Sequence, residues 1–375
     1  MNQDSYRLQI GAINGRVIRD ASEPLTQVLI ESIFIQDRER MVAEWQRLLQ
    51  PEEFSRNVLY LETSTNRILI DAGEGDSNAR LPGRLLETLR AEGIDPASID
   101  TVILTHCHVD HFGGLVAASG TRCFPNARVI MSRVEYDYWV RDDVLANLKP
   151  ERAARLQQVF ALYPLEWAEG GMEVAPGITL IAAPGHTPGN LAVLIESQGE
   201  RLLHLVDGLH MTLQFRAPDA VPRFDLQPGE AIKTRLALLD RAEEERLLVM
   251  AYHLTFPGLG YVQRNGLKQR MWTAYHNRQD VPDYLLETYD VLACAYPNRI
   301  PDDDYWAVIA LIHPYMSFRT LADVLSALTD KSYSWVYNDA SGFGSNPMPL
   351  DEDIARVKQK LAACGYQAWV KKNTF

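Results

Sequence analysis

Residues 106–111 read HCHVDH and follow directly on Asp100–Thr105, a short apolar stretch that predicts a β-strand buried on both faces. Side chains two residues apart on extended backbone point in the same direction, so His106 and His108 can bind one ion. An aspartate and a third histidine follow, where the chain must turn toward a predicted helix. Imidazole groups combined with a carboxylate suit Zn²⁺ and related transition ions better than Ca²⁺ or Mg²⁺, which prefer oxygen ligands. The motif therefore predicts a transition-metal site at the end of a strand.

Chance is a poor explanation of this motif. With nine histidines in the chain, we expect a random match in roughly one of several thousand such sequences. The alternative is that these histidines lie in a surface loop and bind nothing. Three further candidates lie where a predicted strand meets a loop, namely His186 in the rigid turn PGHTPG, Asp207 and His253. Each is weak evidence alone, but together they supply the ligands that a two-metal site requires.

Strands and helices alternate through the first two thirds of the chain, which is typical of α/β layering. The pattern predicts a hairpin at 57–71, helices at 82–92 and 230–245, and strands at 100–105, 178–183, 191–196, 202–206 and 247–251. Two such halves are consistent with a four-layer sandwich, although periodicity alone does not select that topology.

The remaining residues predict a second, smaller domain. Aspartates and prolines punctuate residues 278–301, which we interpret as a connection between a domain at 1–277 and an α+β domain at 302–375. The pattern predicts helices at 302–312, 317–328 and 351–364, a capping box opening at Thr320, and a strand at Tyr366–Val370. We expect this domain to cap the pocket or build a homodimer; the alternative is a non-enzymatic module that binds a protein partner.

Charge and cysteine usage limit the possible partners and the compartment. A formal net charge of −12 argues against nucleic acid and against a polybasic contact with a membrane. The N-terminus lacks a secretory pattern, and no apolar stretch reaches the length of a membrane span. The four cysteines form no CxxC pair. We therefore expect a cytoplasmic protein with reduced thiols.

The ordered series HCHVDH, PGHTPG, Asp207 and His253 resembles the metallo-β-lactamase superfamily. Within it, residues 1–277 are most similar to the methyl parathion hydrolase and lactonase families, and the supporting passages are IDAG at 70–73, ESQG at 196–199, QF at 214–215 and FPGLG at 256–260. The resemblance implies an αββα sandwich with two metal ions. It assigns His106, His108 and His186 to one ion, Asp110, His111 and His253 to the other, and Asp207 as the bridge.

The resemblance also assigns roles around the ligands. Asp71 would orient a ligand histidine; the alternative is a turn or cap aspartate. Cys107 stands where an apolar residue is commoner, and its thiol should point away from the ions, the alternative being a thiolate ligand. Asn190 stands where a second histidine is common, and Val206 replaces a glycine. None of the seven implied ligands is missing.

Aromatic residues near the ligands are candidates for a substrate pocket, although aromatic side chains more often belong to a core. The candidates are Phe112, Trp139, His210 and Phe256. His210 is also a candidate proton donor, whereas His204 is interpreted as a structural residue of its strand.

The implied reaction is attack by a metal-bridging hydroxide on a lactone or another carboxylic ester, with Asp110 and Asp207 as the catalytic aspartates. We expect zinc; iron, manganese and cobalt are the alternatives. A phosphotriesterase or arylesterase is the alternative activity. A di-iron oxidoreductase is disfavoured because its relatives carry glutamate where this chain has His108. No GxSxG elbow or HExxH helix offers another hydrolytic site.

Overall fold

The computed structural model describes residues 4–48, 51–264, 269–275, 281–296, 300–329, 331–343 and 349–374. The chain forms two compact units, Met1–Trp272 and Thr273–Phe375. Parts of the predicted connection, residues 278–280 and 297–299, lie outside the described residues, and a helix at Leu286–Ala295 occupies the stretch between them. The domain boundaries at 277 and 301 stay predictions.

Two seven-stranded sheets form the first unit. The first sheet contains β1 (Ser5–Ile10), β2 (Ile13–Pro24), β3 (Glu53–Glu62), β4 (Arg67–Ile70), β5 (Thr101–Leu104), β6 (Arg128–Ser132) and β7 (Leu165–Ala168). Its strands are antiparallel from β1 to β4 and parallel from β4 to β7. The predicted hairpin at 57–71 is confirmed, because Leu59 pairs with Ile70 and Leu61 with Ile68.

The second sheet is mostly antiparallel. It contains β8 (Glu173–Ala175), β9 (Ile178–Ala182), β10 (Leu191–Ser197), β11 (Glu200–His204), β12 (Leu248–Met250), β13 (Leu259–Arg264) and β14 (Arg270–Ala274). Only the pairing of β11 with β12 is parallel among the described pairs. The long helix at Pro228–Glu244 lies in the connection between these two strands, as a parallel crossover requires.

Nine α-helices are described in the first unit. They are α1 (Gln27–Ile33), α2 (Arg38–Trp45), α3 (Leu85–Ala91), α4 (Val109–Phe112), α5 (Arg133–Trp139), α6 (Asp142–Ala146), α7 (Pro150–Leu162), α8 (Leu213–Arg216) and α9 (Pro228–Glu244). Leu89 of α3 and Val159 of α7 bury against the first sheet, and Leu239 of α9 buries against the second. The layered α/β class is therefore confirmed.

Helices make up the second unit over the residues described. They are α10 (Leu286–Ala295), α11 (Asp302–Ile312), α12 (Phe318–Ser326), α13 (Tyr333–Ser341), α14 (Asp351–Ala362) and α15 (Tyr366–Asn373). The strand predicted at Tyr366–Val370 is wrong, and the α+β expectation for this region fails with it. Tyr366 and Trp369, three residues apart, share the buried face of α15, so helical spacing prevails over the β-propensity of their types.

Two smaller expectations for this unit also fail. The α12 helix is capped by Ser317, whose hydroxyl accepts the Thr320 N–H at 3.2 Å, so the cap lies three residues before the one predicted. Cys294 and Cys364 form a disulfide, which contradicts the expectation of four reduced thiols. Their spacing gave no sign of this pairing because packing of α10 against α14 brings together residues 70 positions apart.

Removing this disulfide is expected to destabilise the second unit. The bond closes a loop of 70 residues, and loop-closure entropy over that length corresponds to about 4 kcal/mol. We expect chemical denaturation to show that loss for the chain carrying Cys294→Ser and Cys364→Ser. Cys123→Ser, at a free cysteine, is the control. An unchanged unfolding free energy in the double variant, and in the parent with reductant, would contradict the prediction.

Among the described residues, no helix has both the length and the apolar character needed to cross a bilayer.

Candidate metal centre

The predicted ligands all lie at strand ends of the first unit. HCHVDH follows β5, and its last three residues open the short α4 helix. His186 lies in the turn between β9 and β10, Asp207 follows β11, and His253 follows β12. Loops at the ends of strands in the two sheets thus bring together residues nearly 150 positions apart.

His106, His108, His186 and Asp207 form the first cluster, and their ligand atoms all lie within 4.8 Å of one another. His108 Nδ1 lies 3.1 Å from His106 Nε2 and 2.8 Å from His186 Nε2. The nearer Asp207 oxygen, Oδ2, is 3.1 Å from His186 Nε2 and 3.7 Å from His106 Nε2. Three imidazole nitrogens and a carboxylate oxygen therefore face one point.

Asp110, His111 and His253 form the second cluster. His253 Nε2 lies 3.5 Å from Asp110 Oδ2, and His111 Nε2 lies 4.0 Å from the same oxygen. Asp207 reaches this cluster as well, with Oδ1 3.3 Å from His111 Nε2 and Oδ2 3.3 Å from His253 Nε2. Its carboxylate lies between the two groups of histidines.

The donor set fits divalent transition ions. His111 Nε2 and Asp207 Oδ1 are buried and make no hydrogen bond, which is costly unless another partner satisfies them. Facing imidazole nitrogens cannot all be paired with one another, since a neutral ring has one donor and one acceptor nitrogen. Nitrogen-rich ligands with two carboxylates match zinc and its neighbours.

The second ring nitrogen of each buried cluster histidine has a partner outside the cluster, as is usual for metal-binding histidines. The pairs are His106 Nδ1 with Thr105 Oγ1 at 3.2 Å, His111 Nδ1 with Asp71 Oδ2 at 2.7 Å, His186 Nδ1 with Asp225 Oδ1 at 2.9 Å, and His253 Nδ1 with the Ser55 carbonyl at 2.9 Å. These contacts hold the rings so that the other nitrogen faces the cluster.

Asp71 lies where its predicted role requires. It accepts hydrogen bonds from the Thr105 N–H and hydroxyl as well as facing His111. Burial raises the pKa of this carboxyl, against the lowering effect of His111. The backbone of Asp71 has a φ of 64°, an uncommon conformation that a short polar side chain tolerates best. Its side chain joins the ends of β4 and β5 beneath the ligands.

Cys107 points away from the clusters, as predicted. Its side chain is fully buried in the hydrophobic core of the first sheet. Burial raises the pKa of the thiol well above its usual value, which disfavours the thiolate form. The alternative of a thiolate ligand therefore has no support.

The pocket candidates have different environments. Trp139 stands edge-on to His108 with ring centroids 5.8 Å apart, and His210 Nε2 lies 3.4 Å from Asp207 Oδ2. Phe112 is fully buried in the hydrophobic core of the first sheet, in the same cluster of residues as Trp139. Phe256 packs edge-on against Tyr6, with centroids 6.5 Å apart. His204 is buried in β11 and accepts the Val206 N–H at 3.1 Å, which agrees with a structural role.

Several residues around the clusters had no sequence prediction. Phe54 stacks on His253 at a centroid distance of 4.3 Å, and Tyr252 stacks on His111 at 4.0 Å. The Tyr252 hydroxyl donates to the Asp110 carbonyl at 2.6 Å. Asp225 binds His186 and is itself paired with the buried Arg235 at 3.1 Å. These residues act through the ligands and carry no motif of their own.

Glu135 is the most consequential of these residues. Its side chain is fully buried, and one oxygen accepts the Cys107 N–H at 2.9 Å and the Trp139 indole N–H at 2.6 Å. The other oxygen accepts the Thr187 hydroxyl at 2.7 Å and the Gly189 N–H at 3.0 Å. One carboxylate thus connects the loop of His106 and His108 to the loop of His186. Burial raises the pKa of this carboxyl, opposed by the four hydrogen bonds.

Glu74 makes the unfolding free energy depend on pH. Burial, and then Asp110, raise the pKa of Glu74 from 4.5 to about 7, although Arg56 Nε lies 3.1 Å away. The folded chain holds this proton where the unfolded chain releases it. Stability is therefore lost as the pH rises from 4.5 to about 7 and then levels off.

We expect Glu74→Gln to remove this loss in the metal-free chain. The slope of unfolding free energy against pH should become less negative by up to about one proton across that window. Urea denaturation at a series of pH values measures the slope, and Glu62→Gln on the partly exposed end of β3 is the control. Parallel curves for the parent and Glu74→Gln would show that Glu74 does not titrate there.

Comparison with known families agrees with this geometry. Residues 51–253 match the model of the metallo-beta-lactamase superfamily, which is more than half of the chain. The chain therefore belongs to the metallo-beta-lactamase superfamily.

Relatives of known activity narrow the class. N-acyl homoserine lactonase AiiA of Bacillus thuringiensis subsp. kurstaki is 26% identical over 213 residues, which cover 52% of this chain and 78% of that protein. The structure of AidC, a dizinc quorum-quenching lactonase, has a TM-score of 0.64 at 22% identity and covers 72% of this chain and 97% of its own. The hydrolase AbOPH has a TM-score of 0.63 at 25% identity, with 74% and 99% covered.

The chain is thus a hydrolase of this superfamily, homologous to N-acyl homoserine lactonases, with His and Asp clusters suited to metal ions. The enzyme class predicted from the sequence is confirmed.

Proposed function

We propose that the chain is a dinuclear metal-dependent hydrolase that cleaves lactones or other carboxylic esters. The observation that carries this proposal is the position of Asp207, whose two oxygens contact histidines of both clusters at 3.1–3.7 Å. A carboxylate so placed suits a bridge between two ions. The proposed ligands are the seven predicted residues, and zinc is the proposed metal.

Two divalent ions held by these seven residues would supply Lewis acidity and would lower the pKa of a water molecule toward neutrality. Asp110 and Asp207 would contribute two negative charges, which leaves the centre positive enough to stabilise a developing oxyanion. His111, His186 and His253 would bind an ion through Nε2, while Asp71, Asp225 and the Ser55 carbonyl contact their Nδ1 atoms. These partners keep the rings from turning as charge develops.

The aromatic surroundings support an ester with an apolar portion. Trp139 faces His108, Phe54 stacks on His253, and Phe224 lies 6.0 Å from the ring of His210. Such rings bury apolar substrate surface beside a polar reacting group. Similarity to an N-acyl homoserine lactonase favours a lactone, among esters, as the substrate of this chain.

The experiment combines metal analysis with a substrate screen. The purified chain is stripped with a chelator, reloaded with zinc, analysed for bound metal, and assayed on acyl-homoserine lactones, aliphatic lactones, aryl esters and phosphotriesters. We expect about two zinc ions per chain and hydrolysis of a lactone or aryl ester that disappears on stripping. Full activity after stripping would refute the proposal. A preference for phosphotriesters would mean that the enzyme is a phosphotriesterase and not a lactonase or carboxylesterase. An iron absorption band together with redox activity would favour an oxidoreductase.

A further inference from the structure

Arg152 lies beside the ligand motif, in the first turn of α7. Its Nη2 donates to the carbonyl oxygen of Cys107, between the first two ligand histidines, at 3.3 Å. Its guanidinium lies over the ring of Trp139, with Cζ 5.4 Å from the centroid, and Trp139 in turn faces His108. The cation is therefore held next to the first cluster by an aromatic face and one long hydrogen bond.

The pairing of this guanidinium differs from that of the neighbouring arginines. Within the part of the chain that the structure describes, no carboxylate forms an ion pair with Arg152, and its buried Nε makes no hydrogen bond. Arg155, one turn further along α7, is satisfied by the Gly113 carbonyl and Asp76, and Arg56 by Glu74. Arg152 is only partly exposed, and cations withdrawn from water are ordinarily paired because desolvation is costly. The missing partner at Arg152 indicates an anion that is not part of the chain.

The side of the metal centre that lies next to Arg152 is also its more exposed side. Five of the seven cluster residues are buried, whereas His108 and Asp110 keep partial exposure, with 18% for the Asp110 side chain. Both belong to the motif whose backbone Arg152 contacts. A substrate entering beside His108 and Asp110 would therefore pass Arg152.

We propose that Arg152 binds a carboxylate of the substrate, so that the enzyme prefers esters or lactones carrying a carboxylate beyond the scissile bond. The planar guanidinium offers paired N–H donors that match the two oxygens of a carboxylate. The Trp139 face holds that plane in place. This inference rests on the proposed hydrolase function and specifies its substrate class.

Matched ester pairs test the preference. The zinc-loaded full-length chain is assayed on 4-acetoxybenzoate against 4-acetoxybenzamide, which places the charge on the leaving side. It is also assayed on phenyl hydrogen adipate against phenyl adipamate, which places the charge on the acyl side. We expect kcat/KM to be at least tenfold higher for the charged member of one pair. A ratio near one in both pairs overturns the proposal.

Variants then assign the preference to Arg152. We expect Arg152→Met to bring the ratio of kcat/KM for charged over neutral esters close to one. Arg152→Lys should give an intermediate ratio, because lysine keeps the positive charge but lacks the paired N–H donors of the guanidinium. The control is Arg141→Met, which removes an exposed arginine that lies over Tyr138 and is paired with Asp143. Its ratio should match the parent. A loss shared equally by charged and neutral esters in Arg152→Met overturns the proposal.

Direct binding separates this inference from the hydrolase proposal. If neither pair is hydrolysed, the hydrolase proposal fails for aryl esters, and calorimetry on the zinc-loaded chain tests Arg152 alone. 4-Hydroxybenzoate should bind at least tenfold more tightly than 4-hydroxybenzamide, and Arg152→Met should abolish that advantage. Equal advantages in the parent and the variant would assign the carboxylate to the metal centre and overturn the role of Arg152.

Discussion

Replacement of Asp207 by asparagine is expected to lower kcat/KM for the best ester or lactone by roughly 10³-fold, since loss of a buried charged partner costs about 4 kcal/mol. Asp207 contacts His106, His111, His186 and His253. A neutral amide would turn its NH₂ group toward one set of ligands and remove half of the negative charge at the centre. We also expect fewer than two metal ions per chain by elemental analysis.

The matched control for this change is Asp219→Asn. Asp219 lies in the loop after α8, is half exposed, and pairs with Arg40 at 3.0 Å, so its replacement should change activity less than about twofold. Unfolding measurements on metal-free protein separate metal loss from misfolding. An Asp207→Asn chain that keeps two ions and the parent kcat/KM would eliminate the bridging role.

The ligands, and the strands that precede them, were predictable because their signals are local. HCHVDH puts four candidate ligands in six residues, and the strands that precede His186, Asp207 and His253 are short apolar runs. Polar residues that directly follow neighbouring strands come together at the same edge of a sheet. Sequence alone therefore indicated which residues lie together, and the geometry of both clusters agrees with that expectation.

The residues that hold the ligands could not be predicted in the same way. Asp225 and Glu135 find their partners across the fold, at separations such as 39 residues to His186 and 54 to Gly189. Acceptors of this kind have no fixed spacing, and a buried glutamate looks like any exposed one until its neighbours are known. Arg152 carries no sequence signal either, because its lack of an ion pair among the described residues is a property of the folded chain.

Short helices were missed for a related reason. Residues 133–162 form three helices, two of them only seven and five residues long, too short to establish an apolar periodicity. Tyr366 and Trp369 favoured a strand prediction because aromatic residues are common in strands. Only their packing in the core of the second unit shows that this segment is a helix. Local propensity was overridden by burial only in the C-terminal region.

Glu135→Gln is expected to lower the unfolding free energy by about 3 kcal/mol, because each buried donor left unsatisfied costs about 1–3 kcal/mol. Every partner of this carboxylate is a donor, namely two backbone N–H groups, an indole N–H and a hydroxyl. A carboxamide must aim its own NH₂ at one pair of them. The resulting shift of the two histidine loops should also weaken zinc binding about 10–100-fold.

Glu166→Gln provides the comparison for Glu135→Gln, since Glu166 lies on β7 with 49% of its side chain exposed and pairs with Arg128 at 2.7 Å. Its loss should cost less than about 0.5 kcal/mol. Chemical denaturation measures stability, and competition with a zinc chelator measures affinity. Both quantities must fall together in Glu135→Gln if one carboxylate holds both ligand loops. A destabilised chain with parent zinc affinity would mean that the loops of His106 and His186 are held by other contacts.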